Sequence, residues 1–505
     1  MKLDYRTNQL IEKERNTNKA FVITPAQTIS WEEASRISEK LQQIFSLYQL
    51  TKGHPVIVYG HKEAYFTVAM MSCIIAEMPF VPIDTIYPAD RISYIKNTTE
   101  SAVVINCTNS PTPFENVIEI NSKIEHKIIG ILPSTFVNYY IPENPIIYMM
   151  FTSGSTGTPK GVEITRRNVI AFSDWTTGPE YGYTENTNLM NQAIFSFDLS
   201  MYDFVPFLSL GATLVCTPKE LCENRTLLFD YLHQHKVNAW ASTPSYAYYN
   251  LYDEDFNQDK LPHLTSFVLI GERLPATTAI KLKERFESAK VINAYGPTEA
   301  TVATSMIELN KSIFEKYSEV PIGYAMPNCD LVIIDENNNE LENGSGEILI
   351  CGPHVANGYF KNPALTAEKF ITFNNKPAYK TGDIGHFQDG ILFTTGRSDE
   401  QIKFNGFRIE LNEISNCIGA LKHIVNHAET IALRRNGEVK KLVSFIQLCE
   451  NVDYTKEIEL EIYKHCKIKM PHYMVPAELK LIDKFPYNSN LKVDKKKLED
   501  IYLKR

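Results

Sequence analysis

The sequence predicts an α/β protein: a large N-terminal domain of parallel α/β layers with a β-rich part, followed by a small α+β C-terminal domain. Three observations predict it. Short apolar runs rich in β-branched residues alternate with amphipathic stretches, which is the pattern of parallel strands joined by helices. From Ile322 the texture shifts to short strands and turns, and it shifts again after Gly396-Arg397-Ser398-Asp399. In chain order, Trp31 to Leu50 reads as a helix, Pro55-Val-Ile-Val-Tyr-Gly60 and Ala102-Val-Val-Ile-Asn106 as strands, and Thr277 to Phe286 as a helix. The turn clusters Asn337-Asn338-Asn339 and Gly344-Ser345-Gly346 precede a strand at Glu347-Ile-Leu-Ile350, and Leu411 to Leu421 has helical patterning. The expected domains are 1–398, with its β-rich part at about 322–398, and 399–505.

Bulk properties narrow the function. At 505 residues, 44% hydrophobic and 22% charged, the chain is globular in composition and too long for one ordinary core. A formal net charge of −9 argues against a nucleic-acid surface, which needs clustered Lys and Arg. The nine Cys include no C-x-x-C pair, so neither a zinc site nor a disulfide framework is indicated and a reducing cytoplasm fits best. Met1 to Asn18 is charged, and no stretch holds the roughly 18 apolar residues that span a bilayer, so no membrane insertion is expected.

The most telling string is Met149-Met-Phe-Thr-Ser-Gly-Ser-Thr-Gly-Thr-Pro-Lys-Gly161, an apolar strand running into a loop of small and hydroxyl residues. Its glycines let backbone N–H groups approach phosphates, while hydroxyls and a Lys supply further donors. The spacing is not that of a Walker A loop, which places four residues between its first Gly and the Gly-Lys pair. A bare Gly/Ser/Thr cluster would be an ordinary turn. The full string T-S-G-S-T-G-T-P-K-G, however, resembles the phosphate loop of the adenylate-forming superfamily, which includes acyl-CoA synthetases, luciferases and peptide-synthetase adenylation domains.

Further strings resemble that family in order along almost the whole chain. The likeness implies an enzyme, a ligase, with ATP and Mg²⁺ as cofactors. It places ATP-binding on Thr152, Ser153, Gly154, Thr156 and Lys160 of the phosphate loop, and on Asn293, Ala294, Tyr295, Gly296, Pro297 and Thr298, with Glu299 as the metal residue. Tyr295 would stack on adenine. In Tyr379-Lys-Thr-Gly-Asp383 the carboxylate of Asp383 would accept the ribose hydroxyls, with Thr394 and Arg397 nearby in the ATP-binding set and Asp399 as the hinge. Asn490-Leu-Lys-Val-Asp-Lys495 resembles the terminal motif that delivers a catalytic Lys, here Lys492, although Leu491 stands where the family has Gly.

The chemistry suits these residue types. A carboxylate becomes a good acyl donor by attack on the α-phosphate of ATP, and two anions must be brought together, so cations at the phosphates are needed. No covalent nucleophile is required, in keeping with the lack of a G-x-S-x-G string.

Phe195-Ser-Phe-Asp198-Leu-Ser-Met-Tyr-Asp203 resembles the segment in which an Asp pairs with a substrate α-ammonium. Such a pair at 4 Å is worth about 4 kcal/mol at an effective dielectric of 20, which favours an amino acid over a fatty acid. The competing reading makes Asp198 a helix N-cap. Substrate-binding falls on Asp198, Tyr202, Ile270, Val302 and Lys492.

Val58-Tyr-Gly-His61, Val81-Pro-Ile-Asp84, Pro88-Ala-Asp-Arg91, Ser242-Thr-Pro-Ser245 and Ala300-Thr-Val-Ala303 resemble the D-alanine ligases within the family. That likeness implies D-alanine and a phosphopantetheinylated acyl carrier protein acting in trans on a monomer. Two positions depart from it: Ile270 replaces a Cys and Tyr202 a Met, leaving open L-alanine or a similar amino acid in nonribosomal peptide synthesis. An acyl- or aryl-CoA ligase is one alternative, disfavoured by Asp198, and a catalytically silent nucleotide-binding or carrier-docking module is another, disfavoured by Lys492, Glu299, Asp383 and Arg397 together.

Overall fold

The computed structural model describes residues 17–101, 103–110, 114, 117–120, 128–129, 144–154, 158–397, 401–404, 406–435, 438–450, 452–487 and 493–503. The chain divides into two compact units. The first comprises Met1–Thr85, Lys96–Met150 and Gly161–Ser398, and the second comprises Ile86–Ile95, Phe151–Lys160 and Asp399–Arg505. Asp399 itself lies outside the described residues.

Two large sheets organise the first unit. In the nine-stranded sheet Lys290–Tyr295, Ser266–Leu269, Ala239–Ser242, Asn188–Asn191, Thr213–Cys216 and Ala20–Ile23 run side by side and parallel, with antiparallel strands at both ends. The eight-stranded sheet has Phe80–Asp84 paired parallel to Val56–Gly60, which pairs in turn with Val103–Asn106. These strands are buried almost throughout, which is why they read as continuous apolar runs.

The helices reflect their burial. Ala64–Ile75 is buried at eleven of its twelve positions and so carries no polar face. Trp31–Leu47 is amphipathic and starts at a capping box: Ser30 Oγ accepts from Glu33 N at 3.2 Å while Glu33 Oε2 accepts from Ser30 N at 3.0 Å. It stops at Leu47, three residues short of the periodic stretch.

The β-rich region forms a five-stranded antiparallel sheet of Asp330–Ile334, Gly346–Cys351, Lys376–Gln388, Phe370–Phe373 and Ile391–Arg397. The short strand Tyr324–Ala325 instead joins the edge of the nine-stranded sheet by pairing with Ser305–Glu308.

The second unit is α+β. The hairpin Gln401–Phe404 and Phe407–Glu410 leads into the helix Leu411–Gly419, and a three-stranded sheet of Val425–Arg435, Glu438–Leu448 and Glu478–Leu481 packs with the helix Lys456–Lys469. Within it Glu413 is buried, and Arg91 Nη1 donates to Glu413 Oε1 at 3.3 Å.

Burial pushes the Glu413 carboxyl up to about 7 from its ordinary 4.5; the Arg91 guanidinium opposes that rise and Glu410 adds to it. Because the folded value is the higher one, the stability it contributes is full below about pH 4.5 and is lost as pH rises through about 7. Glu413→Gln cannot ionise. The thermal midpoint of this variant is therefore expected to gain on that of the unmodified protein between pH 5 and pH 8 in a dye-monitored melt, and a pH-independent difference would contradict the assignment.

Candidate active site

Three of the sequence-selected residues meet around one carboxylate. Asp383 lies on the long strand Lys376–Gln388, opposite Arg397 in the antiparallel ladder. Its Oδ2 accepts from the Tyr295 hydroxyl at 2.6 Å and its Oδ1 from Arg397 Nη1 at 2.7 Å. Arg397 Nη2 also donates to the Thr381 carbonyl at 3.0 Å, and Thr381 Oγ1 accepts from Asp383 N at 3.0 Å. A charge this buried needs such partners, since leaving one unpaired costs several kcal/mol. Burial, then the Asp383 charge, pushes the Tyr295 hydroxyl well above its usual range, so it stays a proton donor. Thr394 on the neighbouring strand donates to the Ile384 carbonyl at 3.1 Å.

Tyr295 ends the strand Lys290–Tyr295, which also carries Asn293 and Ala294; Asn293 Nδ2 donates to the Pro321 carbonyl at 2.7 Å. Next come Gly296, Pro297 and the 3₁₀ turn Thr298–Ala300. The chain then reverses through Thr301 at φ 54° and Val302 at φ 71°, and Ala303 N bonds back to the Thr301 carbonyl at 2.8 Å across Val302. This is a γ-turn of the rare hand, and a β-branched residue at positive φ is strained. The strain sits beside the site.

The turn is held from outside. Thr301 Oγ1 donates to the His354 carbonyl at 2.6 Å, and Thr304 N donates to the Tyr295 carbonyl at 2.7 Å. Gly296 is required for the same reason, because a Cβ there would lie 2.5 Å from Ala303 Cα and 2.8 Å from the Val302 carbonyl oxygen.

Asp198 opens the 3₁₀ turn Asp198–Ser200 that feeds the helix Met201–Leu210. It is not an N-cap. Phe197 occupies that position without a side-chain cap, and Asp198 Oδ2 instead accepts from Thr298 Oγ1 at 2.6 Å. Tyr202 follows four residues on, fully buried, its hydroxyl bonded to that of Tyr181 and its ring edge-on to Phe172. Ile270 is also buried, its N–H donating to the Ser242 carbonyl at 3.1 Å. A Cβ built on the following Gly271 would come within 4.0 Å of Leu199 Cδ1, so this turn lies beside the Asp198 turn.

Glu299 is completely buried. Its Oε1 accepts from the Tyr359 hydroxyl at 2.8 Å and its backbone carbonyl from Ala356 N at 2.9 Å. Among the described residues no group of three His, Cys, Asp or Glu side chains gathers to hold a metal ion. One carboxylate beside a phosphate chain is nonetheless a normal magnesium donor set, since Mg²⁺ takes few protein ligands and completes its shell with phosphate oxygens and water. Glu299 fits that pattern.

In the second unit Thr152 ends the strand Ile146–Thr152, Ser153 Oγ donates to the Arg408 carbonyl at 2.7 Å, and Lys160 starts the strand Lys160–Thr165, with Gly154 after Ser153. Thr156 and Lys492 lie outside the described residues. Tyr359, which holds Glu299, and Tyr181, which holds Tyr202, were not found from the sequence. Neither stands in a string with a recognisable pattern, and each acts through a hydroxyl whose partner is at least 21 residues away.

A chain with these groups in order and this fold belongs to the AMP-binding enzyme family, which matches residues 11–360. It is an enzyme of the ligase class. The D-alanine–D-alanyl carrier protein ligase of Bacillus licheniformis is 38% identical over 476 residues, covering 93% of each chain. The ligase of the same name from Streptococcus pyogenes is 35% identical over 474 residues, covering 92% of each. In fold, the chain is similar to the adenylation domain AlmE of Vibrio cholerae solved with glycyl-adenosine-5′-phosphate, at a TM-score of 0.85 and 20% identity over 100% of this chain and 98% of that one. No helix among the described residues is long and apolar enough to cross a membrane.

Gly296→Ala is expected to displace the 301–303 turn, since both atoms a Cβ would strike are backbone. Overpacking of this kind costs about 1–3 kcal/mol. A thermal midpoint lowered by a few degrees would register it, and an unchanged midpoint would show that the turn moves freely.

Proposed function

We propose that this ligase activates a small amino acid, D-alanine, with ATP as the aminoacyl-AMP and passes the acyl group to the phosphopantetheine thiol of a separate carrier protein, as a cytoplasmic monomer. The observation that carries the amino-acid reading is Asp198. A buried carboxylate that faces the Thr298 hydroxyl can accept the N–H donors of an ammonium ion, and it would gain nothing from a fatty chain. The D-alanine reading adds the names of the relatives that match across nine-tenths of the chain.

In this reading the substrate carboxylate attacks the α-phosphorus and pyrophosphate leaves; the carrier thiol then attacks the acyl carbonyl and AMP leaves. Tyr295 lies against adenine, Asp383 accepts the ribose hydroxyls, and Arg397 contacts ribose or phosphate. Thr152, Ser153, Gly154, Thr156 and Lys160 cradle the phosphates. Asn293, Ala294, Gly296, Pro297 and Thr298 complete the nucleotide wall, with Thr394 on its edge. Glu299 would hold Mg²⁺, which supplies neutralisation of the triphosphate charge. Lys492 steadies the charge developing as pyrophosphate departs, and the segment at Asp399 lets the small domain withdraw it before thiol transfer.

Tyr202 and Ile270 are large, buried side chains and Val302 is the centre of the strained turn, so a substrate pocket bounded by them would suit a methyl group. Selectivity against one extra methylene is only about 1–3 kcal/mol, so neighbouring small amino acids are weak substrates.

The test is pyrophosphate exchange across D- and L-amino acids, with fatty and aromatic acids as competitors. D-alanine is expected to lead. Asp198→Asn should lower kcat/KM for the amino acid by about 10- to 100-fold, the worth of one charged hydrogen bond. Exchange with fatty or aromatic acids alone would overturn the reading of Asp198. Separately, Lys492→Ala is expected to abolish adenylate formation while sparing thiol transfer from preformed adenylate; equal loss of both half-reactions would remove Lys492 from the role.

A further inference from the structure

Five residues after Asp198, at the end of the string that suggested the ammonium site, the first unit buries a carboxylate linked through Asn191 to a buried ammonium. Lys62 follows the strand Val56–Gly60 and is 5% exposed; Asp203, in the first turn of the helix Met201–Leu210, is 2% exposed. Lys62 Nζ donates to the Asn191 carbonyl at 3.3 Å, to Asn191 Oδ1 and to the Ala193 carbonyl. An ammonium has three N–H donors, and here three acceptors take them. Asn191 then passes the interaction on, its Nδ2 donating to Asp203 Oδ2 at 3.2 Å.

The ring of Phe195 lies 4.5 Å from the ammonium and stacks on Phe66 at 4.9 Å. Burial lowers the Lys62 ammonium and raises the Asp203 carboxyl, each opposed by the other's charge.

A buried pair of this kind is a weak source of stability, because apolar residues of the same volume often do as well. What it does supply is geometry. Every acceptor of Lys62 lies on the segment 191–193, its cation–π partner is Phe195, and the carboxylate that balances it is Asp203. The chain from Asn191 to Asp203 is thus wrapped around one cation, as a loop wraps a structural metal. Asp198 sits in the middle of that wrap.

We propose that Lys62 is a positioning residue for amino-acid recognition: its ammonium folds the 191–203 segment and so aims the Asp198 carboxylate at the substrate ammonium beside Thr298. The proposal rests on the amino-acid role of Asp198. Lys62 touches no reactant.

The test uses the full-length protein with Lys62→Met and, because a lone buried Asp203 could unfold the chain, the charge-balanced double variant K62M/D203N. In pyrophosphate exchange both are expected to raise KM for D-alanine by about 10- to 100-fold, the loss of one well-aimed charged hydrogen bond, with KM for ATP within about twofold of the unmodified enzyme. A merely structural role predicts parallel changes for both substrates. Hydrogen exchange followed by mass spectrometry is the second readout. Amides of residues 192–200 should exchange about tenfold faster in K62M/D203N, while those of the helix Ala64–Ile75 stay protected.

Unchanged exchange at 192–200, or a wild-type KM for D-alanine in the folded double variant, overturns the inference. If the unmodified enzyme activates no amino acid at all, the reading of Asp198 falls instead, and the hydrogen-exchange result still decides whether Lys62 orders the segment.

Discussion

The carboxylate of Asp383 is the constraint on which much of the first unit's geometry hangs. It is buried, it takes one donor from Tyr295 and one from Arg397, and those donors come from the end of a strand in the nine-stranded sheet and from the neighbouring strand of the five-stranded one. A carboxylate removed from water must have such partners, and their geometry holds only if the two sheets keep their relative placement. Asp383 therefore acts as a clasp as well as a polar contact. Its ladder partner Arg397 is the last residue described before the second unit's C-terminal portion begins.

A second set of constraints surrounds the loop that follows Tyr295. Positive φ at both Thr301 and Val302 is unfavourable, and the chain tolerates it because Thr301 is bonded to the His354 carbonyl, Thr304 N–H to the Tyr295 carbonyl, and Gly296 leaves room for the backbone of Ala303. Each is a small effect of ordinary size. Together they present Thr298 to Asp198 and bury Glu299 against Tyr359. The outcome is a set of polar groups already oriented before any ligand arrives, which is how binding and catalysis avoid reorganisation at the moment of reaction.

Each unit also buries charged side chains, with different effects. Burial leaves the Glu413 carboxyl raised toward neutrality despite its contact with Arg91, and so it couples the second unit to pH. Lys62, by contrast, has all three donors taken, two of them by backbone carbonyls, and so it shapes a segment. The contrast lies in what each charge holds: the Glu413 carboxyl meets the Arg91 guanidinium, and the Lys62 ammonium gathers three acceptors from one short segment.

Much was legible in the residues alone. The phosphate-loop string, Tyr295 to Glu299, Asp383 and Arg397 stood out through their resemblance to the family's motifs, and the strands at 56–60 and 103–106 because β-branched runs buried on both faces read as parallel strands. The start of the helix from Trp31 was legible, while its Ser30–Glu33 capping box came with the structure. What only the tertiary structure decided was pairing: that Asp198 meets Thr298 rather than capping a helix, that Tyr359 holds Glu299, that Tyr181 holds Tyr202, and that Lys62 closes on Asn191 across 129 positions. Periodicity records that a side chain is buried, because burial follows from which face of one element is covered. The partner it meets depends on how distant elements pack, and no local pattern carries that information.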